Sequence, residues 1–251
     1  MDKAEKRRGK KTLQAKYGLA PAIITGDLML ARCYALLSLG AESPFISKDQ
    51  LLTLQRIIGD TGEDCCLGQL QDIRMAEKKQ YGSINNYLEM IELKTGSLIE
   101  GAVKGSAVIA GASRNQTAII SRFGRNLGVA FQIVDDSLDL LGGSSANKSV
   151  MNDLKQGKAT PMLIYSLKKA NREEKERILR AAGNPEMTGV MARDVVGIYR
   201  KYNAIAYAQE LSLAYVEKAQ KELAHFPADP ARNKLDDILD VLRIWGMLGK
   251  S

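Results

Sequence analysis

The chain carries a single histidine, His225, in 251 residues. It sits beside Phe226 and Pro227 at a predicted helix end, where a lone imidazole is far more often a capping or solvent-facing group than a base or ligand. Histidine-based catalysis is therefore excluded. Cysteine is nearly as scarce. The three present, Cys33, Cys65 and Cys66, offer no Cys-x-x-Cys spacing for zinc. Adjacent cysteines seldom form a structural bridge, so all three read as reduced thiols of a cytoplasmic protein. Aromatic residues reach only 6%, which leaves the core to Leu, Ile, Val, Ala and Met. Alternation of period two is almost missing, which argues against sheet. The start lacks the apolar stretch and cleavage site of a signal peptide. The longest weakly polar run noted, Gly105 to Ala112, is too short to span a bilayer. A soluble protein with no transmembrane segment is expected.

What is present is helical. Hydrophobic residues are 45% and charged residues 26%, ordinary values for a globular protein. Apolar residues recur at intervals of three and four. Helices are predicted at 19–39, 48–60, 63–79, 84–110, 115–141, 160–170, 172–182, 187–200, 203–224 and 231–247. Ser47 with Gln50, and Ser113 with Gln116, form capping boxes. No repeat or linker interrupts the chain, so one all-α domain over 1–251 is expected. The net charge of +7 is concentrated at the start. Residues 1–16 hold seven bases against Asp2 and Glu5, a local +5 that leaves +2 for the rest. A local basic cluster points to an anion site or an interaction tail, and nothing after residue 16 supports a nucleic-acid binder.

The predicted helices 84–110 and 115–141 are apolar nearly all round, so their polar residues need a reason. On the second, Leu127, Phe131, Val134, Leu138 and Leu141 form one stripe, read as a core face. Gly128, Gln132, Asp135, Asp136 and Asp139 form another. Three stacked carboxylates repel and raise one another's pKa. A hard divalent cation resolves that repulsion, and oxygen-only ligands suit Mg2+. The plain alternative, a solvated acidic face, is weakened by the interleaved Ile133, Val134 and Leu138 and by the unfavourable dipole at a helix carboxyl end. The loop that follows carries Lys148, Asp153, Gly157, Lys158 and Thr160-Pro161 and reads as a lid over polyphosphate. Lys94 interrupts an apolar run and must either snorkel to water or meet an anion. Thr95 beside it tips the reading toward an anion. Arg7 and Arg8 offer two forks for two phosphates.

These elements together resemble the trans-prenyl diphosphate synthases. Phe131 to Asp139 is similar to that family's second aspartate-rich motif, and Lys148 to Thr160 to its Gly-Lys loop. Lys94-Thr95, Gly68-Gln69-Leu70-Gln71-Asp72 and Arg7-Arg8-Gly9 resemble three further elements, in the same order. Asp2 resembles the last aspartate of the first motif, so the resemblance implies a chain that starts inside that motif. Lys11, Gln14 and Met151 stand where the family usually has proline, histidine and glycine.

The resemblance implies an isoprenoid-synthase-type helical bundle around an apolar cavity. It implies head-to-tail condensation of isopentenyl diphosphate with an allylic prenyl diphosphate in a homodimer. Metal ligands would come from Asp135, Asp136, Asp139, Asp153 and Asp2. Lys94, Thr95, Gln132, Lys148 and Lys158 would act on the allylic diphosphate with Arg7, and Arg8 would hold isopentenyl diphosphate. The alternatives are a non-catalytic subunit of a heteromeric synthase and a terpene cyclase, the latter poorly served by so few aromatics.

Overall fold

A computed structural model describes residues 5–7, 9–141 and 151–247; Asp2, Arg8 and Lys148 lie outside them. The described residues are almost entirely helical, as the spacing of apolar residues predicts. They fall into two compact units, 1–57 and 58–251.

The first unit opens with a basic hairpin. Strand β1 (Lys6–Arg7) pairs antiparallel with β2 (Lys10–Lys11), setting Lys6 opposite Lys11 and Arg7 opposite Lys10. Gly9, at φ 77°, closes the turn between them, a left-handed conformation that glycine adopts without strain. The short helix α1 (Leu13–Tyr17) follows, capped by the Thr12 hydroxyl, and then α2 (Leu19–Ser38). Neither α1 nor α2 contains a buried residue, and α2 exposes Leu19, Ile23, Ile24, Leu28 and Met29. The segment Leu19–Glu42 is long and apolar enough to cross a membrane by length and composition. Asp27 and Arg32 interrupt it. Each would cost about 2.5–3.5 kcal/mol near the centre of a bilayer, which weighs against a span.

Helix α3 (Lys48–Glu77) replaces the two predicted helices 48–60 and 63–79. Thr61-Gly62 was expected to break it. A glycine in a helix interior costs only about 1 kcal/mol, too little to end a helix whose flanking turns are well formed. The predicted helix 84–110 is in three pieces: α4 (Ile84–Ile91), a π-helical turn (Glu92–Gly96) and α5 (Ser97–Ile109). Helix α6 (Arg114–Leu138) begins at the predicted Ser113–Gln116 capping box and runs into a 3-10 turn at Asp139–Leu141. The remainder is α7 (Asn152–Gln156), α8 (Pro161–Lys169), α9 (Arg172–Ala181), α10 (Gly189–Lys201), α11 (Ala204–Leu223) and α12 (Pro230–Met247).

Helix α6 packs against both α5 and α11. Its buried residues feed two cores. Val129 and Ile133 join Tyr87, Ile91, Met162 and Leu163. Phe123, Leu127, Ala130 and Val134 join Val216, Leu223 and Leu239. Each fully buried side chain of this size contributes about 1.5–3 kcal/mol, so α6 turns apolar residues to both cores and leaves Arg122 and Asp135 exposed. Phe131 departs from the predicted core stripe. It is 47% exposed and shares its face with Asp135, one turn on.

Candidate active site

The π turn sets the site. Two contacts fix its position. A Cβ on Gly128 would lie 2.7 Å from the Cα of Gly96, and one on Gly68 only 2.4 Å from the Lys94 nitrogen. Glycine is therefore required at both positions for α6 and α3 to approach the turn. Arg125 of α6 braces the turn, donating to Glu92 at 2.7 Å and to Glu100 at 2.5 Å. A wider helical turn of this kind often marks a functional site, and here it presents Lys94 and Thr95.

Lys94 does meet an anion. Its Nζ donates to Asp72 Oδ2 at 2.6 Å, and Asp72 is buried at 5% exposure. Thr95 Oγ1 donates to Gln132 Oε1 at 2.8 Å. Gln132 Nε2 donates to Asp136 Oδ1 at 2.8 Å, and the Tyr87 hydroxyl donates to Asp136 Oδ2 at 2.6 Å. Two neighbouring polar residues of one turn are thus each tied to a buried carboxylate.

The stacked aspartates occupy different environments. Asp135 is exposed. Asp136 is buried, and burial, reinforced by repulsion from Asp153, pushes its carboxyl up to about 8 against the pull of the Tyr87 and Gln132 hydrogen bonds. Asp139 is pushed up to about 6, by burial first and Asp153 second. Its Oδ2 accepts the Asp153 backbone N–H at 2.9 Å, and its backbone oxygen accepts that of Met151 at 3.2 Å. Asp139 thereby anchors the amino end of α7. Met151 itself is fully buried and left-handed at φ 65°, which explains why glycine is usual at this position in the resemblance. Asp153 Oδ1 accepts from Lys158 Nζ at 2.8 Å. The same Asp153 acts on Asp136, Asp139 and Tyr87, so these groups form one electrostatic cluster within the second unit.

Of the predicted residues, Lys94, Thr95, Gln132, Asp135, Asp136, Asp139, Asp153 and Lys158 all lie in that unit. Arg7 lies in the hairpin of the first. Sequence reasoning missed two members. In the sequence Asp72 is visible only as the end of Gly68-Gln69-Leu70-Gln71-Asp72, and nothing in that spacing points to Lys94. Tyr87 carried a faint signal: it lies seven residues before Lys94, two helical turns along the same face.

Among the described residues no group of three or more acidic, histidine or cysteine side chains could by itself hold a metal ion. The donor set nonetheless fits Mg2+. That ion keeps several waters and is bound through one or two carboxylates plus substrate phosphates rather than by an all-protein cage. An exposed Asp135 and a two-carboxylate pair, Asp139 with Asp153, match this mode.

Residues 1–196 match the family model described as polyprenyl synthetase. The geranylfarnesyl diphosphate synthase of Aeropyrum pernix is 33% identical over 243 residues, covering 96% of this chain and 74% of that protein. The crystal structure of a geranylgeranyl pyrophosphate synthetase from Pyrococcus horikoshii superposes with a TM-score of 0.86 at 30% identity, over 96% of this chain and 72% of the other. A polyprenyl synthase from Caulobacter crescentus, complexed with calcium and isoprenyl diphosphate, gives 0.84 at 28% identity, over 96% and 71%. The matched region includes the aspartate-bearing end of α6, the π turn and the α7 segment. The chain belongs to the polyprenyl synthetase family and is a prenyltransferase.

Proposed function

We propose that the chain condenses isopentenyl diphosphate with an allylic prenyl diphosphate, head to tail, with Mg2+ as cofactor. The observation that carries this reading is Asp153 acting on both Asp136 and Asp139, with two lysines, Lys94 and Lys158, each resting on a carboxylate. Such lysines can exchange a carboxylate partner for phosphate oxygens, while the aspartates turn to a cation. Mg2+, held through one or two carboxylates among Asp135, Asp139 and Asp153 together with substrate phosphates, would supply charge neutralisation of the departing diphosphate. Lys94, Lys158, Lys148 and Gln132 hold the allylic diphosphate, and the basic start of the chain, Arg7 with Arg8, is a diphosphate-binding element in its own right. The hairpin supports the role of Arg7. Cations directly opposite one another destabilise a strand pair, and a polyanion relieves them.

The allylic carbon–oxygen bond breaks, and the double bond of isopentenyl diphosphate forms the new carbon–carbon bond. The released diphosphate accepts the proton. No protein base is required, in keeping with the lack of a usable histidine. A homodimer in the cytoplasm completes the proposal. The uncovered apolar face of α2 supports self-association, and light scattering of the purified chain tests it.

The test of the reaction is diphosphate release by the purified chain with Mg2+ and both substrates. Release should need both substrates and be abolished in Asp135→Ala. Release without isopentenyl diphosphate, or undiminished in Asp135→Ala, refutes the reading.

A further inference from the structure

Tyr87 is fully buried on α4, in the core around the site. It belongs to the same buried cluster as Met90, Ile91, Ile133 and Met162. A phenol so placed needs a partner for its hydroxyl, and it finds a carboxylate rather than a backbone carbonyl. That carboxylate, Asp136, has its second oxygen taken by Gln132. Gln132 lies one turn before Asp136 on α6, and its own carbonyl oxygen receives the Thr95 hydroxyl. Four side chains from three segments thus form a directed chain: Tyr87 and Gln132 donate into Asp136, and Thr95 donates into Gln132. Because Asp136 accepts from the Gln132 amide nitrogen, the orientation of that amide is fixed. With it is fixed the direction in which Thr95 spends its only proton. In an unbroken α-helix, positions 87 and 95 would be rotated about 80° apart. The π turn between them lets both reach one face of α6.

Asp136 differs in this respect from its neighbours. Asp135 is exposed, and Asp139 and Asp153 sit at the amino end of α7. Asp136 is 7% exposed, and each of its oxygens is engaged by a side chain. Sequence spacing places Asp135, Asp136 and Asp139 in one metal set, but burial sets Asp136 apart from the other two and from Asp153.

We propose that Tyr87 is a positioning residue of the prenyl-transfer site, and that Asp136 is the buried anchor through which Tyr87 orients Gln132 and Thr95, leaving metal coordination to Asp135, Asp139 and Asp153. The proposal rests on the reading of the site as a metal–diphosphate site. Removing a partner one step from the reacting groups typically costs about 10- to 100-fold in activity.

The experiment compares Tyr87→Phe, Asp136→Asn and Asp135→Asn with the parent chain. Binding of Mn2+ in the presence of inorganic pyrophosphate is followed by electron paramagnetic resonance of the free ion. Turnover is measured with Mg2+ and both diphosphate substrates, with kcat and KM separated. Tyr87→Phe keeps the ring in the core and removes only the hydroxyl. It should lower kcat by about 10- to 100-fold while leaving KM and Mn2+ binding within about 3-fold, too small a change for a lost metal ligand. Asp136→Asn should likewise retain Mn2+ binding, whereas Asp135→Asn should weaken it more than about 10-fold. The double variant of Tyr87 and Asp136 should be no slower than the worse single one, as for residues acting as one unit.

A Tyr87→Phe chain with unchanged kcat overturns the proposal. So does an Asp136→Asn chain that loses Mn2+ as Asp135→Asn does; this arm stands even if Tyr87→Phe fails to fold. A parent chain that binds no Mn2+ with pyrophosphate overturns the underlying site reading and the proposal with it, an outcome distinct from the other two.

Discussion

Two glycines on the same helix should respond oppositely to the same substitution. An added Cβ at Gly68 would meet the backbone of the π turn: the Lys94 nitrogen at 2.4 Å, its Cα at 2.8 Å and the Leu93 carbonyl carbon at 2.9 Å. Comfortable contact needs about 3.5–4.0 Å, so α3 and the turn must separate by about 1 Å. Backbone atoms cannot rotate out of the way as a side chain does. Overpacking of this kind costs about 1–3 kcal/mol, against a gain of about 1 kcal/mol for replacing a helical glycine. At Gly62, by contrast, nothing lies within 4 Å of the added atom, and only the gain remains. Gly68→Ala should therefore be less stable than Gly62→Ala by about 1–3 kcal/mol, or roughly 2–4 °C in Tm per kcal/mol for a chain of this size.

Activity separates the two more sharply. A displacement of about 1 Å in a positioned group can cost about 100-fold, and Gly68→Ala displaces both Lys94 and Thr95. Urea denaturation followed by circular dichroism, with diphosphate release measured alongside, reads both effects. If Gly68→Ala matched Gly62→Ala in midpoint and in turnover, the close approach of α3 would not be what positions Lys94, and the reasoning would fail.

Further outcomes follow from single residues. Met151→Gly relieves a left-handed backbone worth about 1–2 kcal/mol but empties a fully buried site worth about 2–5 kcal/mol. The net result should be a lower denaturation midpoint. Glu174, buried on α9, is held down to about 2, chiefly by the hydrogen bond from Lys201 and then that from Tyr202. A depressed carboxylate stabilises the fold above its ordinary 4.5 and loses that contribution as pH falls toward 2. Glu174→Gln should therefore flatten the acid limb of a stability–pH curve. Asp136 has the opposite sign. Its carboxyl is raised from 3.8 to about 8, so its contribution is whole below about 4 and is lost as pH rises through 8. Asp136→Asn should flatten the decline on that side in metal-free buffer.

The helical class was legible because every long helix carries its own apolar period, and the Ser113–Gln116 cap marks the start of α6 residue for residue. What escaped was decided by contacts between segments. The π turn at Glu92–Gly96 has no signature of its own. It is held by Gly128 and Gly68 pressing on it and by Arg125 bridging its ends. Thr61-Gly62 looks like a break, yet α3 runs straight through, since a local propensity of about 1 kcal/mol does not outweigh the turns on either side. The spacing of Asp135, Asp136 and Asp139 shows that they share a stripe. Spacing cannot show that Asp136 faces Tyr87 while Asp135 faces water, because adjacent residues on a helix point about 100° apart. Arg7 and Lys10 read as a basic arm, and only the hairpin reveals that they stand opposite each other.

The charge of the site makes a last prediction about order of binding. Among the described site residues of the second unit, Asp72, Asp135, Asp136, Asp139 and Asp153 stand against Lys94 and Lys158. Five acids against two ammonium groups give −3 when all are ionised. Protonation of Asp136, whose carboxyl titrates at about 8, lowers this only to −2. A bare diphosphate brought to such a site meets repulsion from carboxylates that already hold both lysines. Asp135, Asp139 and Asp153 would hold a divalent cation, whose charge would offset that repulsion and leave Lys158 available to phosphate. Pyrophosphate should therefore stabilise the chain only together with Mg2+. At a concentration of 100 times Kd the pair should add about 2.7 kcal/mol, several degrees in Tm. Each component alone should add little. An equal rise with pyrophosphate in the presence of a chelator would mean that lysines and arginines suffice to hold the anion, and that the aspartates serve the fold rather than a metal.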